Sequence, residues 1–504
     1  MATLNWIGKD AVVNHDKEVS FKLLKKIKGA SVGEQSQNLI VHGDNLEALK
    51  ALMPHYIGKI NCIFIDPPYN TGHEGWVYND KVNSPKIQQW LNKVIKADDL
   101  TRHDKWLCMM YPRIKLLHDL LSEDGVIFVA IDDNEHCNLR TMMDEVFSER
   151  NFITTFIWKK KSTSTNVAGA QVSSLADFIV CYGKSEKSKI LQRVRSKDSR
   201  EHPYKDEEGS YRLTIIEKKN AGEYRRDSMQ FEILGVRPRP GKRWQIGQET
   251  ATALMEKGRF VNDKGVIKLK IYDFEEKDTF SAQPNLLDNH GTTDSAARAL
   301  AELFGAQEIF NNPKPVELVS HLISISSGND AIVLDSFAGS GTTAQAVLEL
   351  NKDDGSRRFI LVEMEDKVAK DITAERVKRA IKKYDYKDGF EYCELDKPLF
   401  NEHGQIEESC DFKQFATYIY FTETQTNIDA KQISGNFIGE MNGTEYYLLY
   451  KGRDKNELDK AALKTIGDSD KKKVVYADRC LLDDDTLAAH NIVFKQIPYE
   501  VKVY

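Results

Sequence analysis

The sequence lacks several features that define other classes of protein. No run approaches 18 consecutive apolar residues, and the first 19 residues hold no apolar stretch of the kind found in secretory signals. We therefore expect neither a membrane span nor export. The seven cysteines are odd in number, widely spaced and without a C-x-x-C pair. This pattern is typical of a reduced, cytoplasmic chain and argues against a zinc module or a disulfide framework. We expect no metal site.

What is present is an ordinary globular composition in a chain of 504 residues, with 41% hydrophobic and 29% charged residues. This length predicts two or three domains. The net charge is −6, yet residues 151–280 hold 26 Lys and Arg against 18 Asp and Glu. A basic insert in an acidic body is common in nucleic-acid enzymes, although a lysine-rich solvated surface would give the same count.

Strand-like and helical segments alternate in two parts of the chain. Predicted strands at 60–65, 126–131, 152–158 and 178–182 surround helices at 106–121 and 139–147, and the alternation resumes at 315–384. Such alternation predicts a doubly wound, mostly parallel sheet with helices on both faces. Residues 185–306 have a higher charge density and weaker periodicity. Residues after 387 contain strand-like aromatic runs at 415–421, 446–450 and 474–476, and we expect a separate small α+β domain there.

A glycine turn follows one predicted strand, in the sequence Asp335-Ser-Phe337-Ala-Gly339-Ser-Gly341. Glycines allow backbone N–H groups to approach a ligand, and Glu363 ends the next strand, where an acidic side chain can accept hydrogen bonds from ribose. Neither the phosphate loop G-x-x-x-x-G-K-[ST] nor the dinucleotide pattern G-x-G-x-x-G is present. These residues predict a nucleoside-cofactor site, although an ordinary strand-to-helix turn would also explain the glycines.

A second strand end carries Asp66-Pro67-Pro68-Tyr69. The exocyclic amine of a nucleobase is a poor nucleophile because its lone pair is delocalised into the ring. The Asp66 carboxylate and the Pro67 carbonyl can accept its two hydrogens, and Tyr69 can stack on a base that has been flipped out of the duplex. The alternative is a strand that ends in a proline turn with a core tyrosine.

Together these motifs resemble the DNA amino-methyltransferases that use S-adenosylmethionine (AdoMet), in the β group, where the catalytic motif precedes the cofactor motif. The segments IVHGDNLEALKAL (40–52), FIDPPYNTGHEGWVYND (64–80), RHDKWLCMMYPRIKLL (102–117) and DGVIFVAIDDNE (124–135) are similar to the modification subunit of Type III restriction-modification systems. The resemblance covers residues 1–185 and 305–385 best. It implies a permuted, Rossmann-like methyltransferase sheet and methylation of adenine N6, with Asp66 favouring adenine over cytosine N4.

The resemblance also assigns roles to individual residues. Catalysis is expected from Asp66, Pro67, Pro68 and Tyr69, and cofactor binding from Asp44, Asp66, Lys314, Asp335, Phe337, Gly339, Gly341 and Glu363. An N-cap is an equally good explanation of Asp44, and Lys314 could be structural. For DNA contacts the basic residues of the insert are candidates, as an alternative to plain solvated surface: Arg225, Arg226, Arg237, Arg239, Lys242 and Arg243.

The expected organisation has four parts. These are the catalytic half of the methyltransferase core (1–185), a target-recognition domain (186–306), the cofactor half (307–386) and a C-terminal assembly domain (387–504). The resemblance implies double-stranded DNA as substrate, a homodimer, and a separate ATP-dependent helicase/nuclease as restriction subunit. Alternatives are a solitary adenine N6 or cytosine N4 methyltransferase and a DNA-specificity subunit without catalysis. The last part is aromatic and acidic, and the alternative for it is a domain that only braces the catalytic sheet.

Overall fold

A computed structural model describes the chain in two compact units. The described residues are 4–33, 36–71, 102–164, 171–191, 193–195, 200–352, 355–399, 406–407, 410–424, 433–452 and 456–497. The larger unit comprises Met1–Ile190 together with Pro284–Tyr504, and the smaller unit is Leu191–Gln283. No described helix is both long enough and apolar enough to cross a lipid bilayer.

The described strands and helices are numbered in chain order. The strands are β1 (Lys22–Lys26), β2 (Leu39–His42), β3 (Ile60–Ile65), β4 (Leu121–Ile131), β5 (Phe152–Lys159), β6 (Ala176–Gly183), β7 (Arg193–Arg195), β8 (Tyr204–Lys205), β9 (Ser210–Ile215), β10 (Glu217–Lys219), β11 (Lys242–Trp244), β12 (Phe260–Asp263), β13 (Val266–Tyr272), β14 (Thr279–Ser281), β15 (Leu286–Leu287), β16 (Ile332–Asp335), β17 (Arg358–Glu363), β18 (Glu391–Pro398), β19 (Phe437–Met441), β20 (Thr444–Leu448), β21 (Glu457–Leu458), β22 (Lys472–Ala477), β23 (Arg479–Cys480) and β24 (Ile492–Gln496). The α-helices are α1 (Lys9–Val12), α2 (His15–Glu18), α3 (Asn45–Tyr56), α4 (Arg102–Leu120), α5 (His136–Met143), α6 (Gln248–Glu256), α7 (Thr293–Phe304), α8 (Val316–Ser326), α9 (Thr342–Leu350), α10 (Glu375–Tyr384), α11 (Phe412–Thr424), α12 (Lys460–Leu463) and α13 (Asp484–Ala489). Two π-helical segments, Asp144–Ser148 and Val368–Ala374, continue α5 and lead into α10.

One ten-stranded sheet organises the larger unit, in the order β1-β18-β2-β17-β16-β3-β4-β6-β5-β15. The six strands from β18 to β4 are parallel to one another, whereas β1 and β6 run antiparallel to their neighbours. The predicted α/β class with a permuted doubly wound sheet is therefore confirmed. The permutation is visible in the pairing, because β16 follows β3 by more than 260 residues and yet lies beside it.

The strand order reverses between β16 and β3. From β16 the chain passes through α9 to β17 on one side, and from β3 it passes to β4 on the other side. Ligands of parallel sheets bind outside the carboxyl ends of strands at such a switch point. The register pairs Leu334 with Ile63, so Asp335 and Asp66 leave adjacent strands at the same edge.

The sheet is buried on both faces. Alternate residues of β3 enter different clusters, with Ile63 and Ile65 in one and Cys62 and Phe64 in the other. Helices α3 and α4 contribute to the first cluster, and α8 and α9 to the second. Continuous apolar strands of this kind fit a sheet that is covered by helices on both sides.

The C-terminal part differs from the sequence prediction in two respects. Strand β18 pairs with β1 and β2 inside the main sheet, so the sheet is not complete by Tyr384. The aromatic run at 415–421 lies in helix α11, not in a strand. Its buried residues Phe415, Ala416, Ile419 and Tyr420 recur at helical spacing, and this packing overrides the strand preference of aromatic residues.

A second, smaller sheet lies after α11, with the order β19-β20-β22-β24. Helix α11 packs on this sheet and also reaches the main sheet through Phe21, the residue before β1. The ring centroid of Phe21 lies 5.3 Å from that of Tyr418 and 5.9 Å from that of Phe421. Phe421 belongs to the same buried cluster as the residues of β3 and α4. The C-terminal region therefore shares a core with the main sheet.

The smaller unit, 191–283, lies within the predicted insert of 186–306. It contains the antiparallel sheet β12-β13-β9-β8 and the pairs β10-β11 and β14-β7. Its core surrounds Trp244, which is fully buried and donates its indole N–H to Phe231 O at 2.7 Å. Strand β15 and helix α7, which the sequence analysis placed in the insert, belong to the larger unit.

Candidate active site

A cavity of about 690 Å³ opens at the carboxyl edge of the main sheet. It is lined by the four predicted catalytic residues and by five further predicted cofactor residues: Asp66, Pro67, Pro68, Tyr69, Lys314, Asp335, Phe337, Gly339 and Glu363. The topological switch point brings together two motifs that lie about 270 residues apart in the chain. Cavities of this volume hold cofactor-sized ligands.

Buried polar groups of neighbouring elements form hydrogen bonds with the loop after β3. Trp106 of α4 donates its indole N–H to Pro68 O at 2.7 Å. Asn70 has a left-handed backbone conformation, with φ of 59°, and its amide donates to Arg102 O at 3.1 Å and to the fully buried Glu135. The two prolines and these anchors fix the direction in which Asp66 and Tyr69 point.

Asp66 forms an ion pair with Lys314 through Oδ2. Its other oxygen, Oδ1, and the Tyr69 hydroxyl are both buried, and neither makes a hydrogen bond of ordinary geometry with a described residue, although the two side chains lie within reach of each other. Burial, together with the nearby carboxylates of Asp66 and Asp177, raises the pKa of Tyr69 well above its ordinary value. Tyr69 is therefore a neutral phenol at physiological pH, suited to stacking and hydrogen bonding.

The glycine turn after β16 depends on two left-handed residues. Gly339 has φ of 49° and Gly341 has φ of 79°. A Cβ atom would lie 3.1 Å from Phe310 Cζ at the first position and 3.2 Å from the backbone oxygen of Thr373 at the second. Glycine is required at both positions by conformation and by space. Gly341 is not among the residues that line the cavity, so its role is to shape the turn.

Two buried carboxylates bind this turn. Asp335 accepts hydrogen bonds from Phe337 N at 3.0 Å and from Thr343 Oγ1 at 2.6 Å. Glu363 Oε2 accepts from Gly339 N at 2.8 Å, and its Oε1 accepts from Glu365 N at 3.0 Å. Burial raises the pKa of Asp335 to about 7, and burial also raises the pKa of Glu363.

Asp44, the remaining predicted cofactor residue, does not line the cavity. It is the N-cap of α3, where Oδ1 accepts from Leu46 N at 2.9 Å and from Glu47 N at 3.1 Å. Its other oxygen lies 3.4 Å from the buried Arg113. The geometry thus supports the capping alternative for this residue.

The six predicted DNA contacts all lie in the unit 191–283, and several are engaged with acidic neighbours. Arg225 pairs with Asp227 at 3.1 Å and Arg237 with Glu232 at 3.2 Å, all four on the surface. Arg239 is half-exposed and pairs at 2.6 Å with Glu217, whose side chain is buried.

The other three candidates differ in their surroundings. Arg226 is exposed. Lys242 and Arg243 lie in strand β11, where their neighbour Trp244 fills the core of the unit. Arg243 donates to Trp244 O at 3.0 Å and contacts Met229 Sδ at 3.3 Å.

Sequence reasoning missed several residues that line the same cavity, among them Trp158, Lys160 and Asp177. Lys160 follows β5 and pairs with Asp177 at the start of β6, at 2.5 Å, and Trp158 is buried beside them. Because β6 runs antiparallel to β4 and β5, its first residues lie at the carboxyl edge of the neighbouring strands. The sequence analysis predicted a strand at 178–182 but not its antiparallel direction, and that direction places Asp177 at the cavity.

Comparison with known proteins gives a consistent assignment. The DNA methylase family matches residues 60–375. The StyLTI Mod subunit, a Type III restriction-modification enzyme of Salmonella typhimurium, is 32% identical over 74% of this chain and 60% of its own length. The EcoP15I Mod subunit of Escherichia coli is 29% identical over 84% of this chain and 75% of its own length. The EcoPI Mod subunit of Escherichia phage P1 is 30% identical over 76% of this chain and 68% of its own length. The chain therefore belongs to the DNA methylase family, and within it to the group of Type III Mod subunits.

Proposed function

We propose that this chain transfers a methyl group from AdoMet to the N6 amine of adenine in double-stranded DNA. The observation that carries the proposal is the pairing of two features in one cavity. Asp66 presents a buried, unpartnered oxygen beside Tyr69, and the glycine turn with its buried carboxylates forms the adjoining wall. One feature suits a nucleobase amine and the other suits a nucleoside cofactor.

The cofactor half of the cavity fits AdoMet in charge and shape. AdoMet carries a sulfonium and an ammonium group, and Asp335 and Glu363 give the wall acidic character. Gly339 lines the cavity in a left-handed conformation, so its backbone can approach a ligand closely. Asp335 and Phe337 would hold the methionine end, and Glu363 would hold the ribose. When bound, AdoMet supplies an electrophilic methyl group.

The chain's own residues then prepare the amine. Asp66 Oδ1 and the Pro67 carbonyl would accept the two N6 hydrogens, which localises the nitrogen lone pair for attack. Tyr69 would stack on the flipped adenine, and flipping is required because a stacked base hides its amine. The proton that N6 loses after transfer would pass to Asp66 or to solvent.

The test is transfer of label from tritiated AdoMet to duplex DNA of mixed sequence, followed by digestion to nucleosides. Label in N6-methyladenine is the expected result. Label in N4-methylcytosine would contradict the assignment of the base, and absence of label from DNA would contradict the proposed function as a whole. Sequencing of modified bases in a cell that expresses the chain would give the recognition sequence and show whether one or both strands are methylated.

We further propose that the chain works in the cytoplasm as a homodimer with a separate restriction subunit that hydrolyses ATP. The similarity to Mod subunits supports this assembly. The aromatic C-terminal region, 387–504, is our candidate for the assembly surface. Because β18 lies in the main sheet and α11 packs on Phe21, a truncation must spare both. A chain that ends after Thr424 and remains dimeric by light scattering would contradict the assembly role.

A further inference from the structure

Lys314 lies at the centre of the cavity and is itself almost completely buried. It is 8% exposed, and its ammonium forms the ion pair with Asp66 Oδ2. The same nitrogen lies 5.2 Å from the ring centre of Tyr69 and 5.8 Å from that of Trp158, so two aromatic rings flank the cation. Because this lysine is buried, its charge acts on the neighbouring carboxylate and aromatic rings and not on solvent.

The ion pair divides the two oxygens of Asp66 between different tasks. Oδ2 is occupied by Lys314, whereas Oδ1 is buried and has no partner within the part of the chain that the structure describes. A buried carboxylate oxygen without a hydrogen bond is costly, and such an atom in a cavity indicates a ligand group that completes it. Here the group that fits is a donor, such as an amine N–H.

Positive and negative charges alternate around this carboxylate. Lys160 pairs with Asp177, Asp177 also interacts electrostatically with Lys314, and Lys314 pairs with Asp66. Without its cation, Asp66 would face two further carboxylates, those of the buried Asp177 and Asp335. Lys314 therefore offsets repulsion between the acids.

We propose that Lys314 is a positioning residue for methyl transfer: it holds Oδ2 of Asp66 and leaves Oδ1 as the acceptor for the target amine. This inference rests on the proposed function. It changes the role expected from the sequence, in which Lys314 contacts the cofactor.

The proposal predicts that Lys314 acts on methyl transfer and not on cofactor binding. The groups that face Asp66 are Lys314, Tyr69, Asp177 and Asp335. Without the cation, Oδ2 loses its partner and the carboxylate can rotate, so Oδ1 is no longer held toward the amine. At saturating AdoMet, Lys314→Met should therefore lower kcat by about tenfold or more.

Two variants make the test specific. Lys314→Arg keeps the charge and should restore kcat toward its original value. Lys115→Met breaks a comparable lysine–aspartate pair, with Asp16 at 2.6 Å, that does not line the cavity. It should leave kcat unchanged, and this separates a local effect on Asp66 from a general loss of stability.

The affinity for AdoMet, measured by calorimetry with each folded variant, decides between the two roles of Lys314. Lys314→Met should change the Kd for AdoMet less than threefold while lowering kcat. A tenfold or larger loss of AdoMet affinity with an unchanged kcat at saturating AdoMet would overturn the proposal in favour of a cofactor ligand. If the unmodified chain methylates no DNA, the proposed function fails first; if it methylates DNA and the kcat of Lys314→Met at saturating AdoMet is unchanged, only this inference fails.

Discussion

Charged residues near turns were the sequence signal for two predictions: the cavity of the larger unit and the DNA contacts of the unit 191–283. In the structure, the surroundings of these two sets of residues differ. In the cavity, Asp66, Lys314 and Asp335 are brought to one sheet edge and interact with one another or with a shared turn. In the smaller unit, Arg225 and Arg237 pair with acids at the surface. A parallel sheet dictates where its strand ends meet, and an antiparallel unit with long loops imposes no such convergence on its arginines.

The comparison teaches which sequence signals carry positional information. A residue at the carboxyl end of a parallel strand has its location fixed by topology, so its chemical role can be inferred from its type. A basic residue in a loop has a location that topology does not fix, and an acid two to five residues away can pair with it at the surface. The predictions below test this difference, beginning with the largest expected effect.

Asp66→Ala should lower kcat for DNA methylation by about 10³-fold, because the amine loses its acceptor. The affinities for DNA and for AdoMet, measured separately by fluorescence anisotropy and calorimetry, should change little. Asp16→Ala is the matched control, since Asp16 is a buried, ion-paired carboxylate that does not line the cavity. If Asp66→Ala still methylates DNA, another group must accept the amine's hydrogen. The inference of a catalytic role from a position at a strand end would then be wrong for this residue.

Asp335 should make AdoMet binding dependent on pH. Its folded-state pKa is raised to about 7 by burial, so the carboxyl is mostly protonated at pH 6 and ionised at pH 8. The cationic cofactor prefers the ionised form, so affinity should rise between these values and then level off. In Asp335→Asn the rise should disappear and affinity at pH 8 should fall by about tenfold, as expected for a lost charge-assisted hydrogen bond.

A matched variant sharpens this prediction. Thr343 donates its hydroxyl to Asp335 and thereby lowers the pKa of that carboxyl. Thr343→Val removes the donor, so the rise in AdoMet affinity should move to higher pH without disappearing. Calorimetric titrations at several pH values measure both effects, and an affinity of the unmodified chain that does not vary with pH would contradict them.

The sequence was sufficient for the class of the sheet because strands β3, β16 and β17 are short apolar runs bounded by turn residues and alternate with helices. The permutation was implied by the family resemblance and not by this alternation. The sequence was also sufficient for Asp66 and Asp335 because each follows such a strand. It failed at α11, where the aromatic residues of YIYF favour strands by composition but repeat at helical spacing. It also missed β18, whose charged residues Glu391, Glu394, Asp396 and Lys397 hide the strand pattern, although the strand pairs with β1 and β2 in the main sheet.

Arg239 should act on stability more than on DNA binding. Its guanidinium and backbone N–H both bind Glu217, whose side chain is buried. Arg239→Ala leaves that carboxylate with an unmet hydrogen bond, and a cost of about 1–3 kcal/mol is expected. Hydrogen exchange within residues 210–247 should report the loss. The double variant with Glu217→Gln should recover part of it, and an equal effect in both backgrounds would show that the pair is not coupled.

Arg226 should show the smallest effect and the one most specific to DNA. Its side chain is exposed, so Arg226→Ala should leave the melting temperature unchanged. If it contacts a phosphate, the slope of log Kd against log salt should decrease by about 0.9 relative to the unmodified chain. Lys264→Gln, an exposed lysine in the β12–β13 turn outside the predicted set, is the control and should leave the slope unchanged. Equal slopes for all three proteins would place Arg226 on solvated surface. Arg226 would then follow the other loop arginines, whose position in the sequence does not reveal a role.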